Sequence, residues 1–274
     1  MDQLPLKPFS VSPYRVSTIT VTSSIGTCVH LTNLFESIEI GRNPYLNYVE
    51  YGASKTETSC KGDSGRKAKR KANPTAKKRF DNQMTFIFSK DSTKYNVKLF
   101  KNGNVQMTGV KDVAAGSRMV DELIKVVADC SKCSPGVQIV ENFDRLENAG
   151  MKVCLMNCDF KVMFNINRNA LHKLLLDMGF ACTYEPCIYQ GVKLSYFVSD
   201  KWQNGKCNCD LRCSGKGSKT NCTRITVAFF QSGSITINGA KNKSQLDVLY
   251  DFVEKLMREN SHEIQQRYFK PRLK

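Results

Sequence analysis

The chain has 274 residues, of which 41% are hydrophobic, and it carries a formal net charge of +16 at neutral pH. A chain of this length and composition can bury a large core, as one broad domain or as two halves. No apolar run approaches a membrane span, and the N-terminal residues lack the pattern of a secretory signal. We therefore expect a soluble intracellular protein with no membrane partner, and its positive charge favours a polyanionic partner.

The positive charge is concentrated in three segments. Residues 53–79 hold ten Lys and Arg against two acids, residues 201–223 hold five against one, and residues 264–274 hold four against none. The remainder of the chain is electrically balanced. The sequence therefore predicts a neutral body with basic appendages.

The predicted elements follow one order twice: a strand, an amphipathic helix, four more strands and a second amphipathic helix. In the first half they are predicted at 15–22, 31–38, 47–51, 83–89, 97–112 (two strands and their turn) and 120–127. In the second half they are predicted at 152–162, 171–178, 181–184, 193–199, 227–242 (again two strands) and 246–256. Gly179 is expected to end one helix, and Asn242 or Ser244 to begin the last.

One strand–turn–strand phrase is present in both halves. Residues 97–112 read VKLFKNGNVQMTGVKD and residues 227–242 read VAFFQSGSITINGAKN, and they align without a gap. Both copies keep the same Val, Phe, Lys and two Gly positions. A repeat of this length predicts a duplicated half-domain and a pseudo-symmetric protein.

The repeats set the expected boundaries. We assign the first repeat to 14–130, a neutral linker to 131–150, the second repeat to 151–258 and a basic tail to 259–274. The basic insertion 53–79 interrupts the first repeat, and the cysteine-rich insertion 201–223 interrupts the second. Both insertions are expected to be loops because they are polar and low in complexity.

Four of the twelve cysteines lie close together, in the second insertion. Cys207, Cys209, Cys213 and Cys222 could close a tetrahedral structural zinc site and so fold a loop that has no core of its own. The alternative is four free thiols, because standard zinc ribbons use pairs of cysteines separated by two residues. No other cofactor is predicted.

The phrases resemble those of the TATA-box-binding protein (TBP) family. The doubled Phe-x2-Gly-x5-Gly-x-Lys pattern resembles the family's "IFSSGKMVCTGAK", and residues 184–191, YEPCIYQG, resemble its "YEPELFPG". Residues 15–21 are similar to "IVSTVNL" and residues 157–161 to "SCDVK". The resemblance covers roughly residues 14–257 apart from the insertions. The cysteine-rich insertion and divergent core are most similar to TBP-like proteins of large nucleocytoplasmic DNA viruses.

This resemblance implies an α+β fold shaped as a pseudo-symmetric saddle. Each repeat would be a curved antiparallel five-stranded sheet with two helices on its convex side. The concave side would enter the minor groove of duplex DNA, where apolar wedges kink the helix at both ends.

The wedges would come in pairs, because the turns that carry them share one edge of an up-and-down sheet. The resemblance places Phe80 beside Phe100, and Tyr189 beside Phe230. For any one aromatic residue the alternative is core packing. Tyr189 departs from the family, since its hydroxyl would need a polar partner once inserted.

Strand alternation puts Gln106 and Thr108 on one face, together with Thr236 and Asn238 in the second repeat. This more polar set would face the groove. The family usually has valine in place of Gln106 and Thr236, and its paired central asparagines are replaced by Tyr14 and Val153. The fold is therefore better supported than a preference for TATA sequences, and polar readout in the minor groove is degenerate in any case.

Two further sets of contacts are expected. Glu185 matches an acidic position through which the family contacts TFIIB-type factors, and its alternative is an exposed loop carboxylate. The basic insertion would contact phosphates beside a wedge, and its alternatives are a solvated linker or a nuclear-import signal. The residues expected to contact phosphate are Lys67, Lys69, Arg70, Lys71, Lys77, Lys78 and Arg79.

The preferred hypothesis is a TBP-like transcription initiation factor that binds and bends promoter DNA and recruits a TFIIB-like factor and RNA polymerase. It would act as a monomer on DNA, in the host nucleus or a cytoplasmic viral factory, and could be packaged in the virion. One alternative is a TBP-fold interaction platform that has lost TATA binding or bending, and another is an accessory domain in nucleic-acid processing. An enzyme is not expected, because none of the three histidines lies in a catalytic phrase and GKGSKT at 215–220 lacks the context of a P-loop.

Overall fold

The computed structural model describes residues 5–52, 59–65, 82–199, 204–207, 209, 213, 215 and 222–268. Within these ranges no helix is long and apolar enough to cross a membrane. The chain divides into two compact units. We call residues 18–154 the first unit, and residues up to 17 together with those from 155 onward the second unit.

The first unit is an antiparallel sheet with helices. Its elements are β1 (Arg15–Ser24, whose residues from Thr18 belong here), α1 (Leu31–Ser37), β2 (Leu46–Tyr51), β3 (Ser59–Gly62), β4 (Gln83–Lys90), β5 (Thr93–Phe100), β6 (Asn104–Val110) and α2 (Val113–Cys133). The strand order is β3-β2-β4-β5-β6-β1. The long helix α2 contacts α1, β5 and β6, and Asp112 begins it by accepting hydrogen bonds from the N–H groups of Ala114 and Ala115.

The second unit has the same kind of architecture. Its elements are β7 (Lys152–Lys161, whose residues from Leu155 belong here), α3 (Arg168–Asp177), β8 (Ala181–Thr183), β9 (Val192–Val198), β10 (Thr223–Phe229), β11 (Ser234–Ala240), α4 (Lys243–Glu259) and α5 (Ser261–Ile264). The strand order is β7-β11-β10-β9-β8. Of the two residues predicted to begin α4, Asn242 does so, by accepting a hydrogen bond from the Gln245 N–H. As predicted, Gly179 follows α3, with φ +77°.

Each unit has its own apolar core. In the first unit the large, fully buried side chains include those of Phe86, Phe88, Met84, Leu99 and Leu123. In the second, Phe160, Phe164 and Phe229 pack with aliphatic residues of α3 and α4. The apolar spacing in the sequence therefore marks the buried sides of these helices and strands correctly.

The insertions and the tail contain structure that the sequence did not indicate. β3 lies inside the basic insertion that was expected to be a loop, and it pairs with β2, so that expectation is wrong for residues 59–62. Lys61 on β3 holds it to α1 by donating to the carbonyls of Glu36 and Ile38. In the predicted tail, Ile264 is fully buried and Gln265 is nearly so.

The first glycine of the doubled phrase is required by the turn between two strands. Gly103 and Gly233 have φ +78° and +84°, and each donates its N–H to the carbonyl of the aromatic residue three positions earlier. A Cβ on Gly233 would lie 2.3 Å from the Val162 carbonyl oxygen, and one on Gly103 2.1 Å from that of Thr27. Only glycine fits there, so the phrase fixes the turns that follow Phe100 and Phe230.

The substitution Gly233→Ala should lower the free energy of unfolding by roughly 2 kcal/mol or more, because left-handed strain adds to a backbone clash. Gly136→Ala is the matched control, since Gly136 has φ +86° but a Cβ there would meet nothing within 4 Å. Urea unfolding monitored by circular dichroism measures both. Equal losses would show that the clash with the Val162 carbonyl is unimportant.

Candidate nucleic-acid interface

One face of the first unit's sheet is polar from β1 to β2. Directly paired residues form a row across it: Thr22, Gln106, Lys98, Thr85 and Glu50. On the opposite face, Val105 and Met107 of β6 are each 1% exposed, whereas Gln106 is half-buried and Thr108 is exposed. The predicted division of β6 between two faces is confirmed, and the hydroxyl and amide side chains lie on the accessible face.

The second unit repeats this arrangement. Thr236 and Asn238 of β11 are half-buried, while Ile235 and Ile237 are fully buried. Thr236 lies in a row of paired residues that crosses this sheet, Asp159, Thr236, Ala228, Lys193 and Thr183, of which Ala228 is apolar and 1% exposed. The four predicted face residues are thus correctly assigned to the accessible faces, and their contact with DNA stays a prediction.

Tyr189 and Phe230 lie side by side at one end of β9 and β10. Their ring centroids are 5.8 Å apart with the planes inclined by 57°, and both side chains are half-buried. Tyr189 is held in a tight turn, because its N–H donates to the Glu185 carbonyl over 2.8 Å. The predicted proximity of this aromatic pair is confirmed.

Two cations support this pair, and no pattern in the sequence indicated either contact. Arg168, in the first turn of α3, donates to the Gln190 carbonyl (2.6 Å) and to the side-chain oxygen of Gln231 (3.1 Å), so it joins the turns that carry Tyr189 and Phe230. The ammonium of Lys193 lies 3.9 Å from the centre of the Tyr189 ring. A cation over an aromatic ring contributes about 0.5–1 kcal/mol at an exposed site.

We expect Arg168→Ala to weaken binding to duplex DNA by about 3- to 10-fold, because the turns that hold the aromatic pair lose their shared hydrogen-bond donor. Arg168→Lys should rescue little, since one ammonium cannot reproduce the planar fork. Arg118→Ala is the matched control: it removes one positive charge from the exposed side of α2. Fluorescence anisotropy measures the affinity of each variant for the duplex. Equal losses of affinity in Arg168→Ala and Arg118→Ala would mean that the effect is due to net charge alone.

Of the two wedge residues predicted for the first unit, Phe80 and Phe100, only Phe100 lies within the described residues. Phe100 is half-buried at the end of β5, at the same position of the doubled phrase as Phe230. An open groove of about 1000 Å³ runs from Phe100 past Lys101, Asn104, Gln106 and Thr22. Phe80 lies outside the described residues, so its proximity to Phe100 stays a prediction.

The polar face of the second unit carries an acid. Asp159 is paired with Thr236 across the sheet, and Arg15 lies 3.0 Å from its carboxylate. The side chains of Asp159 and Arg15 are 35% and 79% exposed, so the pair contributes little to stability. Its consequence is electrostatic, because Arg15 neutralises the carboxylate beside Thr236 on a face expected to meet phosphates.

Tyr14, which the resemblance places at the position of a central asparagine, packs against α4. Its hydroxyl donates to Asp247 of α4 over 2.5 Å, and its ring packs on Tyr250. Burial, together with the hydrogen bond to Asp247, raises the pKa of Tyr14 to about 12. Tyr14 therefore helps to hold the start of β1 against α4 in the second unit.

The turn that carries Tyr189 is largely exposed, since residues 185–188 and 190 all lie at the surface. Glu185 is exposed, which agrees with both a partner contact and its alternative, an unpartnered loop carboxylate, and Ile188 is 80% exposed. A single exposed apolar side chain is common on a protein surface, so the contact of this turn with a partner stays a prediction. The residues expected to contact phosphate, Lys67, Lys69, Arg70, Lys71, Lys77, Lys78 and Arg79, lie outside the described residues.

The four cysteines of the second insertion converge. The sulfur atoms of Cys207, Cys209, Cys213 and Cys222 all lie within 4.8 Å of one another, and those of Cys209 and Cys222 are 3.4 Å apart. Hydrogen bonding to the Cys222 thiol, and then to that of Cys207, raises the pKa of Cys209 to about 12. The cluster lies beyond Val198 of β9 and before Thr223 of β10, at the end of these strands away from Tyr189 and Phe230.

The fold is that of the TATA-box-binding proteins, an α+β fold built on an antiparallel sheet. The solved structure of Methanococcus jannaschii TBP matches it with a TM-score of 0.52 and 16% identity, over 90% of this chain and 99% of that one. At this level of identity the match shows the fold alone.

In sequence, the chain is similar to a "TATA-box-binding protein-like" protein of Acanthamoeba polyphaga mimivirus, with 26% identity over 252 residues. The alignment covers 89% of this chain and 64% of that protein, so the chain spans less than two thirds of the relative's length. No protein-family model matches the chain. The two similarities confirm the resemblance to the TBP family that the repeated phrases predict, and the viral relative agrees with the narrower resemblance.

Proposed function

We propose that this chain is a TBP-like transcription factor that binds duplex DNA through the minor groove and bends it. The proposal includes a pseudo-symmetric saddle, in which the polar faces of both sheets meet the DNA. The observation that carries it is the aromatic pair of Tyr189 and Phe230, 5.8 Å apart in two turns joined by Arg168. A paired, half-exposed aromatic surface at the edge of a polar sheet is suited to replace the stacking of a base step.

The polar faces support contact with the minor groove rather than the major groove. Gln106, Thr108, Thr236 and Asn238 offer hydroxyl and amide groups, which match the acceptor-rich floor of the minor groove. Lys98 and Lys193 each lie in a paired row across one of these faces. Such a surface distinguishes A·T from G·C pairs weakly, so we propose a preference for easily deformed AT-rich duplexes over readout of a fixed sequence.

The turn at residues 185–191 is the proposed site for a protein partner. It exposes the carboxylate of Glu185 and the side chain of Ile188 next to the aromatic pair. An acidic and apolar surface beside the bend fits a TFIIB-like factor that binds the bent complex, and that factor would bring RNA polymerase.

Glu185→Arg should therefore weaken the ternary complex by about tenfold while leaving binary DNA binding intact, as measured by gel shift.

End-to-end energy transfer on short duplexes tests the central claim. Donor and acceptor dyes at the two ends should approach when the protein binds an AT-rich duplex, and should do so less on a GC-rich duplex at equal saturation. Binding without a change in end-to-end distance on either duplex would refute bending.

One observation favours a second candidate, an interaction platform that has lost DNA bending. Asp159 lies on the polar face beside Thr236, where a carboxylate would repel phosphates if Arg15 left it. The two candidates separate in the same experiment, because a platform that has lost bending would leave the end-to-end distance of both duplexes unchanged.

A further inference from the structure

The cysteine cluster is built between two adjacent strands. Cys222 directly precedes β10 and is 1% exposed, and the other three thiols are half-buried. The segment that carries them is attached to the sheet at two points: the Phe197 N–H donates to the Gly205 carbonyl over 3.0 Å, and the Arg224 N–H to the Gly215 carbonyl over 3.2 Å. Cys207, Cys213 and Cys222 therefore each lie within two residues of backbone that is hydrogen-bonded to the sheet or begins β10.

The spacing of the sulfur atoms fits a metal better than it fits free thiols. Four sulfurs around one zinc ion, each about 2.3 Å from it, lie about 3.8 Å from one another in a tetrahedron. In this chain all four sulfurs lie within 4.8 Å of one another. Thiols are weak hydrogen-bond donors, so hydrogen bonds among them are a poor reason to collect four in one place. Among the described residues this is the one group of three or more His, Cys, Asp or Glu side chains whose ligand atoms converge.

The eight remaining cysteines behave differently. Cys60, Cys133, Cys154 and Cys187 are exposed, Cys28 and Cys182 are half-buried, and Cys130 and Cys158 are buried in the cores of the two units. Within the described ranges, none of these belongs to a converging group. The convergence in the second insertion is therefore a property of that insertion, and the high cysteine content of the chain does not explain it.

We propose that Cys207, Cys209, Cys213 and Cys222 bind one Zn²⁺ ion as four thiolates. Each thiol loses its proton to solvent when its Zn–S bond forms, so no oxidant or reductant takes part. Four protein ligands leave no open coordination position, and the role is structural. Thiolate ligands in a tetrahedron select zinc or iron, and we assign zinc.

The ion would fasten the second insertion to the end of the β9–β10 pair that is away from the aromatic pair. Since β9 and β10 each have seven residues, the two ends are about 20 Å apart. The zinc site would therefore stabilise the second unit without touching DNA at the bend. This inference goes beyond the proposed function and does not depend on it.

Metal analysis of the purified full chain tests the proposal. We expect one zinc per chain in the native protein, and its loss in Cys209→Ser and Cys213→Ser. Cys60→Ser and Cys187→Ser, which remove exposed thiols outside the cluster, should retain it. Replacement by Co²⁺ should give the intense thiolate-to-metal absorption and the visible bands of a tetrahedral site.

A measurement on the unmutated protein covers the case in which the serine variants fail to fold. The number of thiols that react with Ellman's reagent should rise by four when a strong chelator is added. Iron in place of zinc, less than half an equivalent of any metal, or unchanged thiol reactivity with chelator would each overturn the assignment.

Discussion

Replacing Phe230 with alanine should weaken binding to an AT-rich duplex by about 5- to 150-fold, because stacking of an aromatic side chain on a base is worth about 1–3 kcal/mol. The bend should decrease more than the affinity. Unstacking a base step costs a few kcal/mol, and half of the aromatic pair cannot compensate for that cost. Energy transfer between the duplex ends reports the bend, and anisotropy reports the affinity.

The matched control is Phe143→Ala. Phe143 is 45% exposed and lies in a short 3-10 turn at residues 143–145, far along the chain from either doubled phrase. Its loss should change neither bend nor affinity. Equal effects of Phe230→Ala and Phe143→Ala would mean that the aromatic pair has no special role.

Phe100→Ala tests whether the two units act alike. Phe100 occupies the same position of the doubled phrase as Phe230 and is followed by the same glycine-closed turn. We expect its replacement to reduce the bend as well, and the double variant to leave the duplex nearly straight. Normal bending by the double variant would contradict intercalation at both sites.

Tyr189→Phe separates stacking from the hydroxyl group. An inserted phenol must find a polar partner for its hydroxyl or lose a hydrogen bond. The phenylalanine variant should therefore bind as tightly as the native protein or a few-fold more tightly, whereas Tyr189→Ala should resemble Phe230→Ala. A large loss in Tyr189→Phe would instead assign the hydroxyl a contact with DNA.

Local patterns in the sequence predicted most elements of both units. Period-two alternation divided β6 and β11 correctly between a buried and an accessible face, because each strand has one apolar side. The glycine of each turn was visible because it occurs twice, and Asn242 was visible because helices prefer such residues at their first position. These signals need only a few neighbouring residues.

The features that the sequence missed depend on contacts between distant parts of the chain. β3 consists of Ser59–Gly62, which shows no apolar alternation, and pairing with β2 makes it a strand. Gln265 is buried because its side chain accepts from the N–H of Lys7 and donates to the Lys7 carbonyl, 258 positions away. Arg168 joins the two turns of the aromatic pair from the start of a helix. No local pattern marks such partners.

Removing the positive charge of the basic insertion should also weaken DNA binding strongly. The positions of the described residues on either side of 66–79 decide which variant can test this. Deleting residues 66–79 would leave only Phe80 and Asp81 between Gly65 and Asn82. Ser64 accepts a hydrogen bond from Lys94, which pairs with Ser89 near the far end of β4, whereas Asn82 precedes the first residue of that strand. The gap is roughly 20 Å along β4, and two residues span only about 10 Å. The deletion would therefore separate β3 from the sheet, and a loss of DNA binding would not be distinguishable from a loss of folding.

The sharper variant keeps the chain length and replaces all eight Lys and Arg of residues 66–79 with glutamine, which lowers the formal net charge from +16 to +8. If these side chains bind phosphates, affinity at moderate salt should fall at least tenfold. The slope of log affinity against log salt should flatten by about 0.9 for each phosphate that the variant no longer neutralises, up to about 7 in total.

A variant with the same residues of 66–79 in scrambled order is the control for this prediction. Phosphate binding through long basic side chains depends on charge and not on order, so the scrambled chain should keep the native slope. A nuclear-import signal would behave in the opposite way, because neutralisation would alter transport and leave DNA binding in solution unchanged. An unchanged salt slope in the glutamine variant would therefore remove residues 66–79 from the DNA interface, and the charge of the remaining basic segments would have to account for all binding to phosphate.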